Sequence, residues 1–205
     1  EGVVVRTADR IRCLVTVGAI HKVPSNPSTC VTRGALANTQ EMFPDSFLKG
    51  EGIGYVSVGG GAIVGDDGKG DRLETNDSEN DGGATTAADD LYAVRGEGSA
   101  AKVASSSYEA VCGEGNGVIG DGVVPLEWTQ LEGARQIRLD GVLHSINEAG
   151  TTIATDRWYG SENVVDRWLP AVLDEAGIVL DDEDGASTGG WDLGETLKKW
   201  ASNFQ

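Results

Sequence analysis

A chain of 205 residues carries enough apolar surface for one domain with a substantial core, and its formal charge of -17, from 16 Lys and Arg against 33 Asp and Glu, argues against nucleic acid or anionic headgroups as general partners. No apolar run approaches the ~20 residues that span a bilayer, and the first residues lack the basic-then-apolar layout of a secretory signal. The chain begins with Glu1 rather than Met, as expected of a processed or trimmed protein.

The 30 glycines follow no collagen-like period and predict many turns. Cys13, Cys30 and Cys112 show no C-x-x-C spacing, and their odd number rules out complete pairing within the chain, so a reduced, intracellular setting is expected.

In chain order, IRCLVTVG at Ile11 to Gly18 is a short β-branched run ending in glycine, the pattern of a buried strand in a parallel sheet. Helix formers over Thr32 to Met42, stopped by Pro44, predict a helix. GYVSV at Gly54 to Val58 predicts a second strand, with Gly59, Gly60 and Gly61 as a loop permitting close backbone approach. Residues 66–107 are acidic and rich in Gly, Ser and Thr, with few large apolar side chains, and read as a flexible acidic insertion.

Beyond it a glycine-rich turn leads to Asp121-Gly122-Val123-Val124-Pro125, and ARQIRL at Ala134 to Leu139 alternates as a third strand, with Asp140 to His144 as the following loop. Val164, Val165, Trp168, Leu169, Val172 and Leu173 hold helical spacing after a capping Ser161, with Pro170 inside and Gly177 past the last turn. The domain is expected over residues 1–180. Residues 181–190 read as a linker, and 191–205 as an amphipathic helix whose stripe of Leu193, Leu197, Trp200 and Phe204 docks on this core or on another subunit.

Several chemical motifs are weak. Asp77 to Ala88 opens like a calcium loop but has Ala88 where a bidentate Glu is required. Gly113 to Gly122 lacks the Lys-Ser/Thr ending of a phosphate loop and reads as a turn. Neither supports a cofactor or a metal.

Four blocks carry a more specific signal: LVTVGAIH at Leu14 to His21, VCGEGNGVIGDGVVP at Val111 to Pro125, LEGARQIRLDGVLHS at Leu131 to Ser145, and RWYGSENVVDRWLP at Arg157 to Pro170. In these the chain resembles plant and algal α/β-hydrolases that are lipase-like and distantly similar to GPI inositol-deacylases. The resemblance implies an α/β fold, the C-terminal half of a hydrolase domain with about three strands and flanking helices, plus the acidic insertion. It implies that Asp121 is the acid and His144 the base of a Ser-His-Asp triad acting on acyl esters, small molecules or lipids, and it suggests a plastid as one location.

His21 is expected to be structural or to line a pocket, and Asp140 to be a turn carboxylate or a back-up acid. The serine is the gap. G-x-S-x-G is expected before the first strand, yet the ten residues preceding Ile11 contain no serine. The literal match Gly185-Ala186-Ser187-Thr188-Gly189 follows His144 in an acidic linker, and Ser57 is expected to pack within a strand. Two readings follow: an ester hydrolase whose serine comes from an upstream segment, this chain alone being inactive, or an inactive hydrolase-like subunit of a larger complex. Either leaves a sheet edge for a missing segment or a protein partner to cover.

Overall fold

The computed structural model of the chain describes residues 10–24, 31–68, 99–148 and 151–179. Its centre is a parallel three-stranded sheet in the order β1-β2-β5, built from β1 (Cys13–Val17), β2 (Gly54–Gly61) and β5 (Arg135–Asp140). β1 connects to β2 through α1 (Ala35–Met42), a helix that buries none of its residues. After β2 come β3 (Ile63–Val64), α2 (Ser99–Cys112) and β4 (Ile119–Gly120), and α3 (Glu162–Glu175) follows β5. β3 and β4 form a separate antiparallel pair. The α/β class expected from the sequence is therefore present, with a mostly parallel sheet and flanking helices. No helix among the described residues is long and apolar enough to cross a membrane.

The central strand is buried from Tyr55 to Gly61, and the period-2 alternation of a strand divides its contacts cleanly. Val56 and Val58 face α3, packing with Leu139, Val164, Trp168 and Val172. On the other face Tyr55 packs with Ile53 and Leu131, and the Ser57 hydroxyl donates to the carbonyl of Thr129 in a 3-10 turn over Leu126–Thr129. Ser57 is thus a packing residue.

Gly59, Gly60 and Gly61, expected as a loop, continue β2 and pair with Arg138, Leu139 and Asp140. At Gly59 and Gly60 the glycine identity answers to space rather than to turn geometry. A Cβ on Gly59 would run into the Thr129 side chain. One on Gly60 would strike the Val142 carbonyl oxygen and come within 2.9 Å of the Tyr159 hydroxyl.

The proposed insertion over residues 66–107 also requires correction. Residues 99–107 form the first turns of α2, and the Asp66 amide donates to the Ala101 carbonyl at 3.0 Å. Ala101, Ala104, Ser105, Tyr108 and Val111 make the buried face of this helix. Small residues suffice there because the helix lies close against β3, and a reading that looked for large apolar anchors passed over them. Residues 69–98 lie outside the described residues, as do the calcium-like loop, the linker at 181–190 and the terminal helix at 191–205.

Helix α3 follows its sequence signals closely. It runs through Pro170 and ends in a Schellman motif: Gly177, at φ +66°, donates to Asp174 at 2.9 Å, and Ile178 donates to Leu173 at 2.9 Å. Ser161 occupies the N-cap position, but its hydroxyl accepts from the Trp158 amide at 3.2 Å instead of a helix N–H. That tightens the turn leading into the helix.

Gly60→Ala should lower unfolding stability by more than about 2 kcal/mol, because both obstacles to a Cβ belong to the packed interior. Gly50→Ala, where a Cβ meets nothing within 4 Å, should stay within about 0.5 kcal/mol of the parent. Urea midpoints for the two variants measure the contrast.

Candidate functional site

At the carboxyl end of the sheet the chain brings together Asp121, from the loop after β4, and His144, from the loop after β5. The His144 Nδ1 lies 2.9 Å from Asp121 Oδ2, and the His144 backbone amide donates to the Asp121 carbonyl at 2.9 Å. The Asp121 side chain is wholly buried, whereas that of His144 is 35% exposed.

Local chemistry fixes the carboxylate first. Asp121 folds its own loop as an Asx turn, its Oδ1 accepting from Val123 N at 3.0 Å and Val124 N at 2.7 Å. Gly122 takes φ +96° in that turn and donates its N–H to the Tyr108 hydroxyl at 2.8 Å. Tyr108, fully buried on α2, donates onward to the Ile63 carbonyl at 3.1 Å, so the acid loop is pinned to both α2 and β3.

Oδ2 has a second donor. The Tyr159 hydroxyl donates to it at 2.9 Å and itself accepts from the Gly60 amide at 2.6 Å. That amide is free for a topological reason. Val58 O accepts from Gly18 N on the β1 side, and Gly61 O accepts from Gly141 N on the β5 side. Alternation directs the Gly60 N–H toward β1, which has already ended at the Val17–Val58 pair. The phenol takes the place of the missing strand. Trp168 Nε1 of α3 donates to the Tyr159 carbonyl at 3.1 Å, and the Leu143 amide donates to Arg157 O at 2.7 Å, which set the tyrosine beside the histidine loop.

Gly18, at φ +59°, closes the site from the β1 side. A Cβ there would lie 2.9 Å from the Tyr159 ring, 3.0 Å from His144 Nδ1 and 3.1 Å from Asp121 Oδ2. The histidine loop is braced as well, since Arg157 Nη2 meets both Glu148 carboxylate oxygens, at 2.7 and 2.9 Å.

The electrostatics follow. The Asp121 hydrogen bond holds the His144 imidazole above its usual range, against the opposing effect of partial burial, and the carboxylate charge adds to the rise. Burial and the Asp121 charge push the Tyr159 phenol far above its ordinary value, so it stays protonated and remains a donor. With Nδ1 committed to a carboxylate that has only acceptors to offer, neutral His144 carries its proton on Nδ1 and presents the Nε2 lone pair. A cavity of about 160 Å³ adjoins it, lined also by Val103, Val123, Asn147, Glu148 and Thr151.

The other candidates sit elsewhere. His21 Nε2 lies 2.9 Å from Thr16 Oγ1, its amide donates to Trp128 O, and burial pushes its imidazole down, in keeping with a structural role. Asp140 is exposed as the last residue of β5, and the carboxylate on the His144 ring is that of Asp121. Among the described residues no serine hydroxyl is hydrogen-bonded to His144; the neighbouring Ser145 donates to Asn147 O at 3.3 Å. No group of three or more His, Cys, Asp or Glu among the described residues is arranged to hold a metal.

Tyr159, Gly18 and Gly60 were not singled out by sequence reasoning as site residues. The available signal was Tyr159 itself, in the block Arg157-Trp158-Tyr159-Gly160, since a tyrosine that becomes buried must find a partner for its hydroxyl. No protein-family model, no curated protein and no solved structure matches the chain. Function must therefore be argued from this geometry.

The chain holds two histidines, so their titrations are directly comparable by NMR. His144 should titrate at higher pH than His21, and Asp121→Asn should bring the His144 midpoint down. Because the folded state holds the His144 proton more tightly than the unfolded chain, the stability gained from the pair is fully present below the unfolded imidazole range and is lost as pH rises through the folded midpoint. Unfolding free energy over that window should fall with pH in the parent and lose this slope in Asp121→Asn.

Proposed function

We propose that this chain supplies the acid and base of a Ser-His-Asp ester hydrolase, lipase- or esterase-like, whose substrates are acyl esters of small molecules or lipids. One observation carries the reading: a fully buried carboxylate oriented on Nδ1 of a half-exposed imidazole, at the carboxyl end of a parallel sheet. Here the acid is sealed and the base opens on a cavity, the division of labour that a general base requires.

In this reading Nε2 takes the proton of a serine hydroxyl as its oxygen bonds to the ester carbonyl carbon. Asp121 stabilises the resulting imidazolium, and Nε2–H returns the proton to the departing alcohol. Water then repeats the sequence, giving its proton to Nε2 and releasing the acid. The serine and the oxyanion donors come from a segment upstream of β1. Uncovered apolar side chains on β1, Leu14 at 39% and Val15 at 36% exposure, are compatible with a further strand alongside it.

A second reading, a hydrolase-like subunit without catalysis of its own, is favoured by the lack of a serine on His144 among the described residues. Intact mass and fluorophosphonate labelling of the natively purified protein separate the two. A labelled species longer than 21.4 kDa, whose labelling and esterase activity fall by about 1,000-fold or more in His144→Ala, is expected of the hydrolase. An unlabelled species of 21.4 kDa would establish the second reading.

A further inference from the structure

We infer that Tyr159 is a positioning residue for the Asp121–His144 pair, sharing the carboxylate oxygen that orients the imidazole and tying it to the free amide at the end of β2. The inference rests on the proposed hydrolytic role for its functional meaning, although its geometry stands alone.

The phenol is buried, 5% exposed as a residue, and both hydrogen-bonding directions of its oxygen are committed: it accepts from Gly60 N at 2.6 Å and donates to Asp121 Oδ2 at 2.9 Å. The same Oδ2 meets His144 Nδ1 at 2.9 Å. The phenol and the imidazole thus compete for the electron density of one oxygen. Their rings meet edge to face, at 84° with centroids 6.2 Å apart.

The competition has a direction. A donor on Oδ2 draws charge from it and weakens it as an acceptor for the imidazolium. With the phenol oxygen removed, Oδ2 would hold the imidazolium more strongly, and His144 would stay protonated to higher pH. The groups facing His144 bear this out as the controlling contact. Asp121 is the charge on the ring, Tyr159 shares its oxygen, Glu148 on the cavity wall is paired with Arg157, and Tyr108 reaches the acid loop through the Gly122 amide rather than through the carboxylate. A general base held more tightly protonated has less of its free form available, so in the proposed hydrolase Tyr159 favours the form that accepts a proton.

The test is NMR titration of His144 in Tyr159→Phe, which keeps the ring and removes only the oxygen. At a pH near the parent's midpoint, the ratio of imidazolium to imidazole should rise about threefold or more. In an Asp121→Asn background the same substitution should leave that ratio unchanged, since Tyr159 acts through the carboxylate. Ser57→Ala, which removes a buried hydroxyl from the opposite face of β2, should cost stability without moving His144. Should Tyr159→Phe fail to fold, 3-fluorotyrosine at position 159, a stronger donor of nearly the same shape, should shift the ratio the other way. An unchanged titration in Tyr159→Phe, or in the fluorotyrosine protein if that is the one measured, would overturn the inference. The readout needs neither substrate nor serine. A shifted titration beside a natively purified protein of 21.4 kDa that takes no fluorophosphonate label would therefore sink the hydrolase and leave the positioning role intact.

Discussion

A single buried negative charge organises this end of the molecule. Taking a carboxylate out of water costs several kcal/mol even after relaxation, and the cost is tolerable only when its lone pairs are filled. Asp121 fills them with four donors: two amides of its own turn, the imidazole of the β5 loop and the phenol preceding α3. Each is fixed by another element, Tyr159 by Gly60 and Trp168, and the turn by Tyr108. Strand ends, the entry to α3 and the face of α2 are all placed with reference to one side chain. A core built for stability alone would be as well served by apolar residues of the same volume, since a buried ion pair rarely outperforms them. Asp121 instead keeps its charge with four dedicated donors and is joined to a partly exposed base, the arrangement on which the proposed hydrolytic role rests.

The sheet was legible where local and tertiary preferences coincide. β1, β2 and β5 carry β-branched or alternating patterns that no competing structure uses better, and α3 combines helical spacing with Gly177 just past its end. Legibility failed where the deciding factor lay far away in the chain. Gly59 to Gly61 carry the local signature of a loop, yet β5 pairs with them, and the absent Cβ atoms of Gly59 and Gly60 make room for Thr129 and Tyr159. Helix α2 failed in the opposite sense. Its Ala101, Ala104 and Tyr108 keep helical spacing, but small side chains on an apparently acidic insertion carry little hydrophobic signal until the neighbouring strand is in place.

The candidate site divides along the same line. Asp121 and His144 are 23 positions apart, and nothing in that spacing pairs them; they were named from the resemblance of their surrounding blocks, and the fold brings them within hydrogen-bond distance. Tyr159 had no such marker. Its role depends on β1 stopping at Val17 while β2 continues to Gly61, a difference in strand length that leaves one amide unpaired. Sequence periodicity describes where strands are, and only approximately where neighbouring strands end relative to one another.

That difference in length also bears on where a nucleophile would enter. The imidazole is held on its Nδ1 side by Asp121 and bounded toward β1 by Gly18, whose missing side chain leaves the end of β1 within contact of the pair. β1 is an edge of the described sheet, and Leu14 and Val15 on it are far more exposed than Val56 and Val58 on β2. In parallel sheets both faces of a strand are normally covered, whereas those of β1 are partly open. A parallel strand added beside β1 would pair its open backbone edge. Its following residue would then arrive at the carboxyl end of the sheet, beside the site. Among the described residues no serine hydroxyl is hydrogen-bonded to His144, and β1 is an edge strand of the described sheet. One upstream strand would answer both needs.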